Sequence, residues 1–128
     1  MIYYFTKKLD LDFNSSIAKV TDELKNEGFG IITEIDVKNT LKNKLNVDFR
    51  NYKILGACNP EFAYKALQEE NKIGLLLPCN VIIQEIDEGN IEVSIIDPIV
   101  SMSHIANLNL EEVAKKIRMK LQNVIDKL

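Results

Sequence analysis

A two-layer α+β domain, its sheet mixed but mostly antiparallel and packed against helices, is the fold this sequence predicts. Three observations carry the prediction. The local patterns run in the order strand, helix, strand, small helix, strand, helix, strand, strand, helix, which suits two layers around one core. Glu88-Gly89-Asn90 separates two β-rich runs as the turn of a hairpin, so one strand pair is antiparallel. The chain has 128 residues and no repeat, low-complexity stretch or linker, which fits a single domain over residues 1–128. A chain of that length buries roughly two-thirds of its unfolded surface and needs no disulfide or metal staple.

The elements follow in order. Ile2 to Lys8 is rich in aromatic and β-branched residues and reads as a strand. Asp12 caps a helix from Phe13 to Glu27, in which Phe13, Ile17, Val20 and Leu24 share one face. Gly28 stops that helix in the left-handed conformation of a carboxyl-terminal cap, and Phe29 folds back on the last turn. Gly30 to Val37 is a second strand, Lys38 to Leu45 a short polar helix and Tyr52 to Cys58 a third strand. Asn59-Pro60-Glu61 opens the next helix with a capping amide, a proline at the first position and an acid beside the positive end. Its apolar stripe is Phe62, Ala63, Ala66 and Leu67, and it ends near Asn71.

Leu75 to Asp87 reads as one long extended segment interrupted at Pro78, where the strand begins or bulges, because proline cannot donate to a sheet ladder. Ile91 to Ile96 returns antiparallel to it. Ile99 to Leu108 shows no clean period and reads as a loop or a short helix. The closing helix runs from Leu110 to about Lys127 with Leu110, Val113, Ile117, Leu121, Val124 and Leu128 on one face, and Asn109 with Glu112 reads as a capping box.

Composition excludes several classes of function. Hydrophobic residues make up 46% of the chain and charged residues 27%, the balance of a globular protein rather than a disordered one. The longest apolar run, Ile73 to Pro78, is too short to cross a bilayer. The amino-terminal stretch lacks the basic and apolar regions of a secretory leader, so a cytoplasmic location and no membrane partner are expected. A net charge of −3 and the absence of tryptophan argue against a nucleic-acid partner. In a cytosolic setting the two cysteines are expected to be free thiols.

Those cysteines stand in two matching phrases, Ala57-Cys58-Asn59-Pro60 and Leu77-Pro78-Cys79-Asn80. Cys58 lies at a strand end just before a helix cap, where free amides and the macrodipole favour a thiolate; the competing reading is a small buried hydrophobe. Cys79 follows a proline in an apolar run and reads more readily as inert. Asn59 reads as a helix cap, while Asn80 either bonds a neighbouring strand or faces a pocket. If the two strands are neighbours, the thiols can meet as a redox pair or hold a soft ion, with Met102 and His104 closing over the place in a manner suited to copper(I). One thiol per segment is not zinc spacing, and no metal ligand set is assigned. No paired carboxylates, serine–histidine arrangement, phosphate-cradling glycine loop or cofactor fingerprint appears, so the residues name neither a reaction nor a cofactor.

With these residues in view the chain resembles the domain of unknown function 302 family. The resemblance rests on Glu27-Gly28-Phe29-Gly30, Glu34-Ile35-Asp36-Val37 with Leu41, Tyr52 through Pro60, Ala63-Tyr64, Leu67, Ile73 through Val81, and Asp97-Pro98. It implies a two-layer α+β domain that tends to associate as a homodimer and has no established activity. It also places Cys58, Asn59, Pro60, Pro78, Cys79 and Asn80 at motif positions, the residues expected to line any ligand site. Family patterns carry several methionines after Asp97-Pro98, whereas here Met102 stands alone, which weakens a methionine-based metal site. The expectation is a homodimeric binding or accessory module whose ligand is a small molecule, or an anion at the Asn59 helix start. The alternative is a thiol redox or soft-metal protein using Cys58 and Cys79.

Overall fold

The computed structural model describes residues 2–128. Its strands are β1 (Tyr4–Leu9), β2 (Gly30–Asp36), β3 (Tyr52–Cys58), β4 (Cys79–Asp87) and β5 (Asn90–Ile96). Its helices are α1 (Phe13–Asn26), α2 (Val37–Leu45), α3 (Pro60–Glu69), α4 (Pro98–Ser101) and α5 (Leu108–Lys127), and a single 3-10 turn spans Ile73–Leu76.

The five strands form one sheet in the order β1-β5-β4-β3-β2. Each neighbouring pair is antiparallel. The two-layer α+β expectation is met, but the sheet is not mixed. β1 and β2, which α1 connects, run in the same direction yet occupy opposite edges, so they never pair. Both neighbours of β4 pair with it antiparallel: β5 through the Glu88-Gly89 turn, where Gly89 has φ +81°, and β3 across the longer α3 excursion.

One face of the sheet is the core. Alternation sends Leu55 and Ala57, Val81 and Ile83, and Ile91, Val93 and Ile95 inward, each no more than 2% exposed. Against them lies the α5 stripe Leu110, Val113, Ala114, Ile117, Leu121, Val124 and Ile125, with Val20 and Leu24 from α1 and Phe62 and Ala66 from α3. Each large side chain so buried contributes roughly 1.5–3 kcal/mol. The 3.6-residue period read from the sequence is therefore the core-facing side of each long helix.

Local signals decided some element ends and not others. Asp12 Oδ1 accepts from the Ser15 amide at 2.7 Å and caps α1 as expected. Gly28 sits at φ +86°, and the Phe29 amide reaches back to the Leu24 carbonyl at 2.9 Å, closing the helix with Phe29 buried. Elsewhere the reading needs correction. The α5 cap is Asn107, whose side chain accepts from the Leu110 amide at 3.0 Å; Asn109 instead donates to the Glu69 carboxylate at 3.3 Å. The segment before Pro78 is a 3-10 turn rather than strand, and the Leu77–Pro78 bond is cis. The aperiodic stretch after β5 begins with α4, in keeping with the short helix that is one of its two readings, and Asp97 caps it through the Ile99 amide at 3.0 Å.

Candidate functional site

β3 and β4 pair so that Ala57 stands directly opposite Cys79, which sets Cys58 one residue beyond that pair at the end of its strand. Chain direction then carries β3 into α3 and brings the 3-10 turn down onto β4. The result is a hollow of about 270 Å³ at this end of the sheet, and both cysteines line it. Asn59 and Pro78 are also in its wall. The remaining wall is almost entirely hydrocarbon: Ala57 from β3, Phe29 and Ile32 from the chain around β2, Ala63 and Leu67 from α3, Leu77 beside the turn, and Ile117 from α5. Apolar groups continue outside it, since Ile32 is 61% exposed and Leu75, next to the lining residue Gly74, is 86% exposed.

The six residues singled out from the sequence thus divide. Cys58, Asn59, Pro78 and Cys79 come together in one wall. Pro60 does not join them; it is exposed at the first position of α3. Asn80 does not either. It pairs with Gly56, and strand alternation turns it to the opposite face of the sheet from Cys79, where it lines a separate and larger concavity of about 460 Å³ with Tyr4, Tyr52 and Ser94. The two Cys-Asn phrases are therefore alike in sequence but not in space: a strand splits its pair between faces, and a strand-to-helix junction does not.

Asn59 occupies the N-cap position of α3 but makes no side-chain capping bond. Its amide Nδ2 donates across to the Glu27 carbonyl at 3.4 Å, at the end of α1. The same nitrogen lies 3.1 Å from where a Cβ on Gly28 would stand. So the glycine of one phrase makes room for the asparagine of another, and Asn59 ties α1 to the mouth of α3. Met102 lies elsewhere, buried in a different hollow formed with Leu110 and Ala114, and His104 is exposed. Among the described residues no three His, Cys, Asp or Glu side chains come together as a metal-binding group.

The two thiols differ in environment. Cys58 is half-buried and Cys79 is 5% exposed. Burial, and then the neighbouring charge of Cys58, pushes the Cys79 thiol up to about 11. A raised folded value means the neutral thiol is the form the fold favours. That contribution is complete below the unfolded value near 9 and is lost as pH climbs from about 9 to about 11. The loss is on the order of 3 kcal/mol. Denaturant titrations across this window should therefore show a steeper alkaline fall for the wild type than for Cys79→Ala; equal slopes would contradict it. Iodoacetamide at pH 8 should modify Cys58 first and reach Cys79 only on unfolding.

The residues the sequence reading missed are the apolar ones. Ile32 falls at the register shift between Ile31 and Thr33 in β2, and a bulge leaves no trace in composition. Ile117 belongs to the α5 stripe and looks like any core residue until α5 is laid across the end of β3.

No curated protein of known function matches the chain. Among solved structures it is similar to the crystal structure of an uncharacterized conserved DUF302 protein from Bacillus stearothermophilus, with 26% sequence identity and a TM-score of 0.91, over 99% of this chain and 98% of that one. No helix among the described residues is long and apolar enough to cross a membrane. The family model described as domain of unknown function DUF302 matches residues 5–128, the stretch holding every strand pair but the first residue of β1 and every wall of the cysteine hollow, and the chain belongs to that family.

Proposed function

We propose that the protein is a homodimeric binding module that takes a small, predominantly apolar molecule into the hollow between the two cysteine segments. The observation that carries this reading is the lining of that hollow: hydrocarbon from four elements, two thiols and one amide, with no charged side chain. Pockets of a few hundred Å³ with apolar walls and few polar groups are the usual form of small-ligand sites. The same wall disfavours an anion, which would lose hydration without gaining a cation or an unengaged amide side chain, since Asn59 is already bonded to Glu27.

A melting screen against small apolar and thiol-reactive compounds tests it. A ligand held at a hundred times its Kd adds about 2.7 kcal/mol, a rise of roughly 10 °C for a domain of this size. Ala63→Phe places a ring in the hollow and should abolish the rise, while Asn80→Ala, on the other face of the sheet, should keep it. A ligand shift that survives Ala63→Phe would place binding elsewhere.

The thiol redox reading keeps one specific support, the shared wall that sets Cys58 beside the Ala57–Cys79 pair. Under it, hydrogen peroxide takes two electrons and two protons from the thiols and leaves as water, while a Cys58–Cys79 bond forms. Intact mass after peroxide should then fall by two hydrogens. A product carrying added oxygen, or two unlinked thiols, would leave binding as the function.

A further inference from the structure

The sheet has a second face, opposite the layer of α1, α3 and α5, and its side chains are not those of a surface built for water alone. Read across the strands, its central row is Thr6, Ser94, Ile82, Ile54 and Ile35, joined by the register of neighbouring strands. On one side of that row lie Tyr4, Ile96 and Asn80; on the other lie Glu92, Gln84 and Tyr52. Antiparallel sheets facing solvent on one side normally alternate to polar residues there. Here isoleucines fill three of the five places in the central row, and tyrosines stand in the rows beside it.

The charges on this face are arranged in a particular way. Glu92 on β5 and Tyr52 on β3 flank Gln84 on the central strand β4 in one row. Arg50 lies over the Tyr52 end: its guanidinium stands 4.5 Å from the Phe49 ring centroid and 5.5 Å from that of Tyr52, and it donates twice to Gln84 Oε1 at 3.0 and 2.9 Å. So one half of the row is cationic and aromatic. In the other half, among the described residues, the Glu92 carboxylate accepts no hydrogen bond and forms no ion pair, although Lys8 is its cross-strand neighbour.

We infer that this bare face seats a second copy of the same chain, face to face, about a two-fold axis running along β4. This deepens the homodimer part of the reading above and rests on it. Rotation about the central strand exchanges β5 with β3 within each row. The Glu92 of each copy then meets the Arg50–Tyr52 group of the other, twice, and Ile82 meets Ile82 at the centre. Such a contact is isologous, as a two-fold dimer requires. Sheets pack face to face at about 10 Å with their strands within about 30°, which keeps β4 over β4. Five strands of this length offer a footprint of about 500 Å² before the relief of side chains is counted, so two copies bury about 1,000 Å² in total, the lower bound for a specific interface. The cysteine hollow, at the end of the helix-covered side, stays open in both copies.

Sedimentation velocity on the full chain tests the surface, with circular dichroism to check that each variant is folded. The wild type should sediment as a dimer, Ile82→Arg as a monomer, and Leu75→Arg, at the rim of the cysteine hollow, as a dimer. Because Ile82 is half-buried and its replacement can perturb folding, the charges of the flanking row supply a second route. Glu92→Arg should weaken association at least roughly tenfold, and adding Arg50→Glu in the same chain should restore most of it. A monomeric wild type overturns the homodimer reading as a whole. A dimer that survives Ile82→Arg and Glu92→Arg but dissociates with Leu75→Arg overturns only this surface and moves the interface to the hollow's rim.

Discussion

Replacing Asp97 by alanine is expected to cost about 2–4 kcal/mol and to lower the melting temperature by roughly 10 °C. Asp97 is one of two buried polar residues among those described, 7% exposed, and both of its oxygens are engaged. Oδ1 accepts from the Ile99 amide at 3.0 Å and starts α4; Oδ2 accepts from Arg118 Nε at 3.1 Å on α5. Its own amide donates to the Tyr3 carbonyl at 2.8 Å. The Arg118 guanidinium in turn lies 5.1 Å from the Phe5 ring centroid on β1. One carboxylate thus joins the end of β5, the start of α4, α5 and an edge strand. Alanine removes a cap worth about 1 kcal/mol and a charge-assisted bond to a partner left half-exposed, so the ion pair counts for less than a fully buried one would. Asp97→Asn keeps the acceptor for Ile99 and loses only the charge, so its cost should be about half. Thermal melts of both variants decide it, and an Asp97→Ala melt within 2 °C of wild type would remove this residue's structural role.

Gly56→Ala should be nearly as damaging, at about 2–3 kcal/mol, for a purely steric reason. A Cβ at this position would collide with the Thr33 hydroxyl of β2 and come within 2.7 Å of the Pro78 ring. Neither neighbour is a flexible tip: Thr33 is β-branched on a paired strand at the bulge, and the Pro78 ring is rigid. Relief must come from moving β2 or the Leu77–Pro78 segment, and Pro78 and Leu77 are walls of the cysteine hollow. The variant should therefore lose affinity for any ligand of that hollow as well as stability. Gly74→Ala is the matched control, because nothing stands within 4 Å of the added carbon, and it should change stability by less than about 0.5 kcal/mol. Urea titrations in which the two variants unfold together would discard the close-packing account.

Much of the architecture was readable before any coordinates. Each long helix announced its buried face by period, α1 by Phe13, Ile17, Val20 and Leu24 and α5 by Leu110 through Val124. Asp12 and Gly28 announced their caps, because an N-cap and a left-handed C-cap are interactions among residues three to five apart. Reading failed where the partner was distant. Asn59 stands in a cap position but bonds Glu27, 32 residues earlier. Asn109 looks like a cap but bonds Glu69, 40 residues earlier, and leaves the capping to Asn107. In each case the amide had a local and a remote partner available, and packing chose between them.

By itself the sequence determined where the five strands and the four longer helices lie, which face of the long helices is apolar and that two thiol phrases exist, since all of these follow from spacing along one element. Only the tertiary structure decided that β3 and β4 are neighbours, that Cys58 and Cys79 share a wall while Asn80 looks the other way, and that one face of the sheet is left bare. Strand order and face assignment depend on which distant segments bury their apolar sides together, a choice made by the whole core at once and written in no single stretch of it.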